Sequence, residues 1–306
     1  MKKTTRFVFF ASLLFLAAAA NATDDTGDES GKQGRLLKME RGQNLAAEWT
    51  PSDKALRVYK QTYFLFYSHS SRPNNAPTSP NPNNQVPFTY PLDNKEMKFQ
   101  ISVKGHILGE GRHTLWFGYT QQSFWQIYDV EHSNPFRESN HEPELIYSFR
   151  PENLRFGSGV NFSHLNAGFS HHSNGQALPR SRGWNRIYAQ AGLESDFGDH
   201  GRLVLLPRVW KRIGGGTIDD DNPDITHYLG LGEIEARYFH GRGVLSMLAR
   251  KHSLQLDLAI PAPPLLGIRI HNTNLHLQLF SGYGESLIDY NQRHHTFGVG
   301  ISLPFE

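Results

Sequence analysis

The 306 residues include 38% hydrophobic and 12% aromatic side chains, 28 Gly, 17 Pro and no Cys, with 31 Lys and Arg against 29 Asp and Glu. The absence of cysteine excludes a disulfide-stapled scaffold, a thiolate zinc site and a cysteine nucleophile. The near balance of charge offers no basic face for nucleic acid, and a hydrophilic average excludes helical membrane proteins only, because a transmembrane barrel has a polar lumen and polar loops.

The chain opens with Lys2, Lys3 and Arg6, followed by an apolar stretch from Phe7 to Ala20 broken only by Ser12. Ala20-Asn21-Ala22 then fits a small-x-small cleavage site, so residues 1–22 read as a secretory signal peptide. The stretch is shorter than the roughly 20 residues a spanning helix needs. Cleavage removes three basic residues and no acidic one, leaving 28 basic against 29 acidic. No later segment reaches about 18 consecutive apolar residues, so any membrane crossing is made by strands.

Residues 23–55 are charged and have no clean period; they read as a periplasmic leader or plug-like arm. From residue 56 the recurring signal is alternation with a period of two, which puts successive side chains on opposite faces of a sheet. Met97, Phe99, Ile101 and Val103 alternate with Lys98, Gln100, Ser102 and Lys104; Leu254, Leu256 and Leu258 alternate with Gln255 and Asp257; Phe297, Val299, Ile301, Leu303 and Phe305 share one face. About twelve such segments are expected, near 58–68, 96–107, 115–125, 144–150, 159–172, 184–194, 202–211, 226–238, 243–250, 253–260, 268–284 and 295–305. An even count fits an all-β, twelve-stranded antiparallel transmembrane barrel over residues 56–306. Turns such as 108–111 and 196–199 belong on one rim, and the longer runs 72–86 and 213–224 on the other. Tyr63, Trp116, Tyr119, Trp125, Trp184, Trp210, Tyr228 and Tyr238, near strand ends, are expected to form an aromatic girdle. A secreted β-sandwich is the soluble alternative.

The fifth predicted strand carries the chemistry. Its even positions, His164 to Asn174, are polar or glycine and belong in a lumen, whereas Leu165, Ala167 and Phe169 face lipid and continue into His171 and Ser173. Residues i and i+2 of a strand share a face, so imidazole and hydroxyl are within reach of each other. Serine needs such a base because its hydroxyl is a weak nucleophile. In the sixth strand Asn185 shares parity with Ile187, Ala189 and Ala191, which sets it on the same face across a hairpin. An amide oxygen there accepts from the imidazole N–H and holds the tautomer that deprotonates serine, without placing a bare anion at a hydrocarbon boundary. A chance His-x-Ser pair among 16 His is the bland alternative.

The run His171-His172-Ser173-Asn174-Gly175, followed by Ser181-Arg182-Gly183-Trp184-Asn185-Arg186-Ile187-Tyr188, closely resembles the outer membrane phospholipase A family. The resemblance extends through Tyr119-Thr120-Gln121-Gln122-Ser123-Phe124-Trp125, Ser133 to Glu138, Asp221 to Thr226 and Ser281 to Asn291, covering residues 56–306. It implies a calcium-dependent esterase, active as a homodimer, hydrolysing sn-1 and sn-2 acyl esters of phospholipids and lysophospholipids in the outer leaflet. Ser173 would be the nucleophile, His171 the base and then acid, Asn185 its orienting partner, and the Gly175 N–H an oxyanion donor. Ca2+ would be held by the Ser181 hydroxyl and the Gln176 carbonyl, with Ser133 reaching in from the other subunit. Asp221 matches a second calcium position, and Gln121 would meet its twin across the dimer interface. Gln176 stands where the family has a basic residue. A passive barrel, porin or structural, is the competing function.

Overall fold

The computed structural model describes residues 45–85, 91–152, 154–157, 159–215, 220–263 and 272–305. The expected signal peptide, the arm up to residue 44 and the first residues of the eleventh expected strand, 268–271, lie outside them. Residues 45–305 include twelve long strands: β1 (Tyr63–Ser70), β2 (Lys95–Leu108), β3 (His113–Trp125), β4 (Phe136–Phe149), β5 (Val160–Ser173), β6 (Gly183–Asp196), β7 (Arg202–Ile213), β8 (Gly232–His240), β9 (Gly243–Arg250), β10 (Ser253–Pro261), β11 (Asn274–Gly282) and β12 (His294–Ser302). Each pairs antiparallel with its chain neighbours, and β12 pairs back onto β1, so the sheet closes with no free edge. Two-residue bridges, Arg57–Val58 on β2 and Arg155–Phe156 on β5, lie beside the barrel strands.

Alternation along the strands sorts the side chains. On β5, Leu165 and Phe169 are exposed whereas His164, Asn166 and Ser170 are buried. Ile187, Val209, Leu245, Leu258, Leu279 and Phe297 extend the apolar outer surface around the barrel, far more than a protein in water leaves uncovered. Among the described residues no helix is long and apolar enough to cross a membrane; an apolar outer band around a closed barrel is the surface such a barrel presents to lipid.

The lumen is polar and filled. Glu144 of β4 accepts from Tyr59 at 3.0 Å, Tyr188 at 2.7 Å and Arg208 at 3.2 Å on one oxygen, and from Lys60 at 2.9 Å on the other. Glu142 takes Lys60 at 2.7 Å and Arg186. Buried charges are stable only when paired this completely. The segment Leu45–Trp49 enters from the rim of short turns: the Leu45 N–H donates to Glu194 at 2.9 Å, and the Lys104 ammonium lies 3.8 Å from the Trp49 ring centroid.

The described parts of the connections 71–94, 126–135, 174–182, 214–231 and 283–293 share one rim with the two-residue turn 251–252, and 109–112, 197–201 and 241–242 share the other, which agrees with the expected placement of 72–86 and 213–224 against 108–111 and 196–199. Three expectations differ. Trp116, Trp184, Trp210 and Tyr63 are buried and form no girdle. They occupy lumen-facing positions, and the tryptophans pack with Trp49, Tyr59 and Tyr188 inside the barrel. The fourth strand starts at Phe136, eight residues before the expected start at 144. The first turn of the expected eighth strand is instead a short helix, Ile225–Leu229, whose Ile225 and Leu229 are buried with Leu287 and Tyr290 at the mouth.

Candidate active site

The β5–β6 hairpin sets His171 directly opposite Asn185 and Ser173 opposite Gly183. All three polar side chains share the outward face with Phe169 and Ile187, as their parity predicts. His171 Nδ1 and Asn185 Oδ1 are 2.7 Å apart. An amide oxygen can only accept, so the ring proton is assigned to Nδ1 and the lone pair to Nε2. The bond therefore selects the basic tautomer. Among the described residues no hydrogen bond involves the Ser173 hydroxyl. A Cβ on Gly183 would meet Ser173 Cβ at 3.3 Å, tight enough that the serine would have to shift by a few tenths of an ångström.

The loop that follows is fixed by a buried amide. Asn174 Nδ2 donates to Arg180 O at 2.8 Å, and its Oδ1 accepts from the N–H of Gln176 at 3.3 Å and of Arg182 at 2.9 Å. Gly175 sits in the left-handed region at φ 62°, where a side chain is strained, beside the serine it would serve. Arg182 is 1% exposed and reaches Ser181 O at 2.8 Å and Asn84 O at 3.0 Å. Burial pushes its guanidinium below the ordinary range, yet a guanidinium keeps its charge. It draws the turn Pro82–Asn84 onto the loop.

Ser181 Oγ donates to Asp221 Oδ2 at 2.5 Å. Asn84 Nδ2 bridges Ser181 O at 2.9 Å and Asp221 Oδ1 at 3.1 Å, and Ser79 Oγ donates to Asp221 O at 2.6 Å. A cleft of about 290 Å³ is lined by His171, Ser173, Gly175, Gln176, Ser181, Asn185 and Asp221 together. Arg182, Arg212 and Asp220 line the same cleft, Asp220 paired with Arg212 at 2.6 Å, which leaves the oxygens of Gln176, Ser181 and Asp221 as its candidate cation donors; outside the lining, Asn84 Oδ1 is buried with no partner among the described residues. Such a set fits a hard divalent cation. Ser133 stands apart, exposed on the 126–135 loop at φ 63°. Gln121 is on the outward face of β3, donating to Ser123 Oγ at 3.1 Å.

Two residues at the site were not expected. Asn84 comes from a Pro/Asn-rich run with no period to read. His141 lies opposite both Ser173 and Gln121, in the half of β4 whose pattern does not alternate.

A closed twelve-stranded antiparallel barrel with an apolar outer face and a polar lumen is an outer-membrane β-barrel. The sequence profile of phospholipase A1 matches residues 39–303, and the chain belongs to that family of carboxylic ester hydrolases. Phospholipase A1 of Salmonella typhimurium is 32% identical over 315 residues, 99% of each chain. A relative from Neisseria meningitidis is 38% identical over 253 residues, 80% of this chain and 64% of the relative's length. The fold is similar to outer membrane phospholipase A from Escherichia coli, with a TM-score of 0.70 at 31% identity over 82% of this chain and 99% of that one. It is also similar to the Salmonella typhi outer membrane phospholipase dimer with bound calcium, with a TM-score of 0.72 at 31% identity over 87% and 98%.

Proposed function

We propose that this barrel hydrolyses sn-1 and sn-2 acyl esters of phospholipids and lysophospholipids in the outer leaflet, with Ser173 as nucleophile. The observation that carries this reading is the 2.7 Å His171–Asn185 contact on the lipid-facing surface, two residues from a serine. Three polar groups on an apolar face are costly unless they have a task there.

Ser173 Oγ attacks the ester carbonyl carbon while His171 Nε2 takes its proton. The tautomer held by Asn185 makes this possible, and hydrogen bonds that are open in a resting site tighten with substrate. The carbonyl oxygen becomes anionic and accepts from the Gly175 N–H, a donor typically worth about 10² to 10³ in rate. The imidazolium returns the proton to the departing glycerol oxygen, leaving an acyl-serine. Water, deprotonated by the same nitrogen, attacks the acyl carbon; Ser173 regains its proton and fatty acid leaves.

Asn185 stabilises the imidazolium less than a carboxylate would. Bound Ca2+ would add positive charge beside the oxyanion, held by Ser181 Oγ and the Gln176 carbonyl with Ser133 from a second subunit, and Asp221 would hold it in the monomer. The Salmonella typhi relative, a dimer with bound calcium, supports the use of calcium and of pairing here. Pairing across Gln121 would then couple activity to association and protect the membrane from its own enzyme. The passive-barrel alternative is weakened by the lumen, where Lys60, Glu142, Glu144, Arg186 and Arg208 interlock. The test is calcium-dependent fatty-acid release from mixed micelles by wild type and Ser173→Ala. The variant should keep its heat-modifiable barrel and lose release; equal release by both would overturn the reading.

A further inference from the structure

The outward face of the barrel carries almost no charge. Among the described residues of the twelve strands, Lys211 of β7 is the one Lys, Arg, Asp or Glu on this face that lies inside a strand rather than at its end. It is exposed and shares the parity of Val209, whereas Arg208 and Trp210 are buried on the lumen side. Lys211 stands directly opposite Ile187, which in turn opposes Phe169; the next row toward the outer rim is His171, Asn185 and Ile213. Lys211 is therefore the diagonal neighbour of Asn185, a separation of about 7 to 8 Å that a long side chain covers.

A charged side chain on a lipid-facing wall costs free energy, least near the interface. A lysine lowers that cost by laying its stem along the wall and carrying its ammonium to headgroup level. From Lys211 that path runs past Asn185 and Ile213, toward the level of Ser173. Among the described residues no hydrogen bond or ion pair engages the ammonium. The two arginines that line the cleft are occupied: Arg212 donates to Asn222 O, Pro223 O and Asp220, and Arg182 to Pro179 O, Ser181 O and Asn84 O. β3, with Gln121, and β7 lie on opposite sides of β5, so Lys211 borders the site on the side away from the proposed dimer contact.

Resting on the proposed esterase mechanism, we propose that Lys211 forms a phosphate subsite: its ammonium donates to the phosphodiester of the lipid whose acyl ester lies at Ser173. The phosphodiester is the anion that glycerophospholipids and lysophospholipids share, whatever their headgroup alcohol, and it lies within a glycerol's length of both ester positions. A compact ammonium on a flexible stem can follow it as either ester enters. The contact is made before and during the reaction alike, so Lys211 is a specificity-determining residue that separates phosphate-bearing lipids from other esters and takes no part in the chemical step.

The experiment compares wild type, Lys211→Gln and Lys211→Arg with calcium in a nonionic detergent, with heat-modifiability confirming the barrel. Two substrates of the same acyl chain are used: a lysophosphatidylcholine, and a p-nitrophenyl ester that has no phosphate. Lys211→Gln should raise KM for the lysophospholipid by about 5- to 10-fold with kcat within about twofold, as expected for a charge-assisted contact made equally in ground and transition states. Both constants for the nitrophenyl ester should stay within about twofold. Lys211→Arg, which keeps the charge, should match wild type on both substrates. If Lys211→Gln leaves KM for the lysophospholipid within about twofold of wild type, or loses equally on both substrates as a lysine that only anchors the wall would, the inference is overturned. A wild type that releases fatty acid from neither substrate would instead overturn the underlying esterase reading.

Discussion

Ser181 and Asp221 join two loops: the hydroxyl of the first donates to the carboxylate of the second at 2.5 Å, tying the segment after β5 to the segment after β7. With Asn84 bridging both, the only carboxylate among the proposed calcium ligands is held beside the nucleophile's loop. Asp221→Ala should therefore weaken calcium binding by the detergent-solubilised monomer about tenfold, about 1.4 kcal/mol of binding, without loss of the folded barrel. A titration identical to that of wild type would remove Asp221 from the metal's surroundings.

Asn185→Ala leaves His171 free to rotate and to swap tautomers. Since a positioned general base is worth about 10² to 10⁴, kcat should fall by about 10² with KM nearly unchanged. Steady-state kinetics on a monomeric ester in detergent would check this. A larger change in KM than in kcat would assign Asn185 to substrate binding instead.

Gly175→Ala forces a side chain into φ 62°, a cost of about 1 to 2 kcal/mol, which the 174–182 loop can relieve only by turning its amide. Activity should drop by about 10², while the unfolding midpoint in denaturant moves little, because the loop lies outside the barrel wall. A variant with wild-type turnover would exclude the amide as an oxyanion donor.

Glu144 tests the lumen separately from the site. Four donors converge on its carboxylate, and Glu144→Ala takes from buried Arg208 its nearest carboxylate, leaving it only Glu233 at 3.9 Å, while Lys60 keeps Glu142. Breaking a buried pair in this way costs about 3 to 5 kcal/mol, measurable by urea unfolding in lipid vesicles. Turnover per folded molecule should stay near wild type, because Ser173 is on the opposite face of the wall.

The barrel was legible wherever one face meets lipid and the other a polar lumen, since that difference imposes the period of two; β5, β10 and β11 show it plainly. The parity of His171, Ser173 and Asn185 was readable for the same reason. The first half of β4 was not. A bulge at Phe124/Trp125 turns Arg137 inward to Glu96 and Asp289, and the outward positions are Ser139, His141 and Pro143, so apolar alternation disappears just where the outer wall becomes functional. The tryptophans were misplaced for a different reason. Closeness to strand ends suggested a girdle, whereas Trp116, Trp184 and Trp210 share the parity of the lumen face. The contact of Asn84 with Asp221 is set by loop packing across 137 residues and leaves no local pattern.

The central claim is that an outward serine performs acyl transfer at the membrane boundary. The most direct measurement is to treat the calcium-loaded wild type with a long-chain alkylsulfonyl fluoride and locate the modified residue by peptide mass spectrometry while residual esterase activity is followed. The account predicts a single adduct on Ser173, forming in step with the loss of activity and only in the presence of calcium. An adduct on another residue, or full activity with Ser173 sulfonylated, would contradict it.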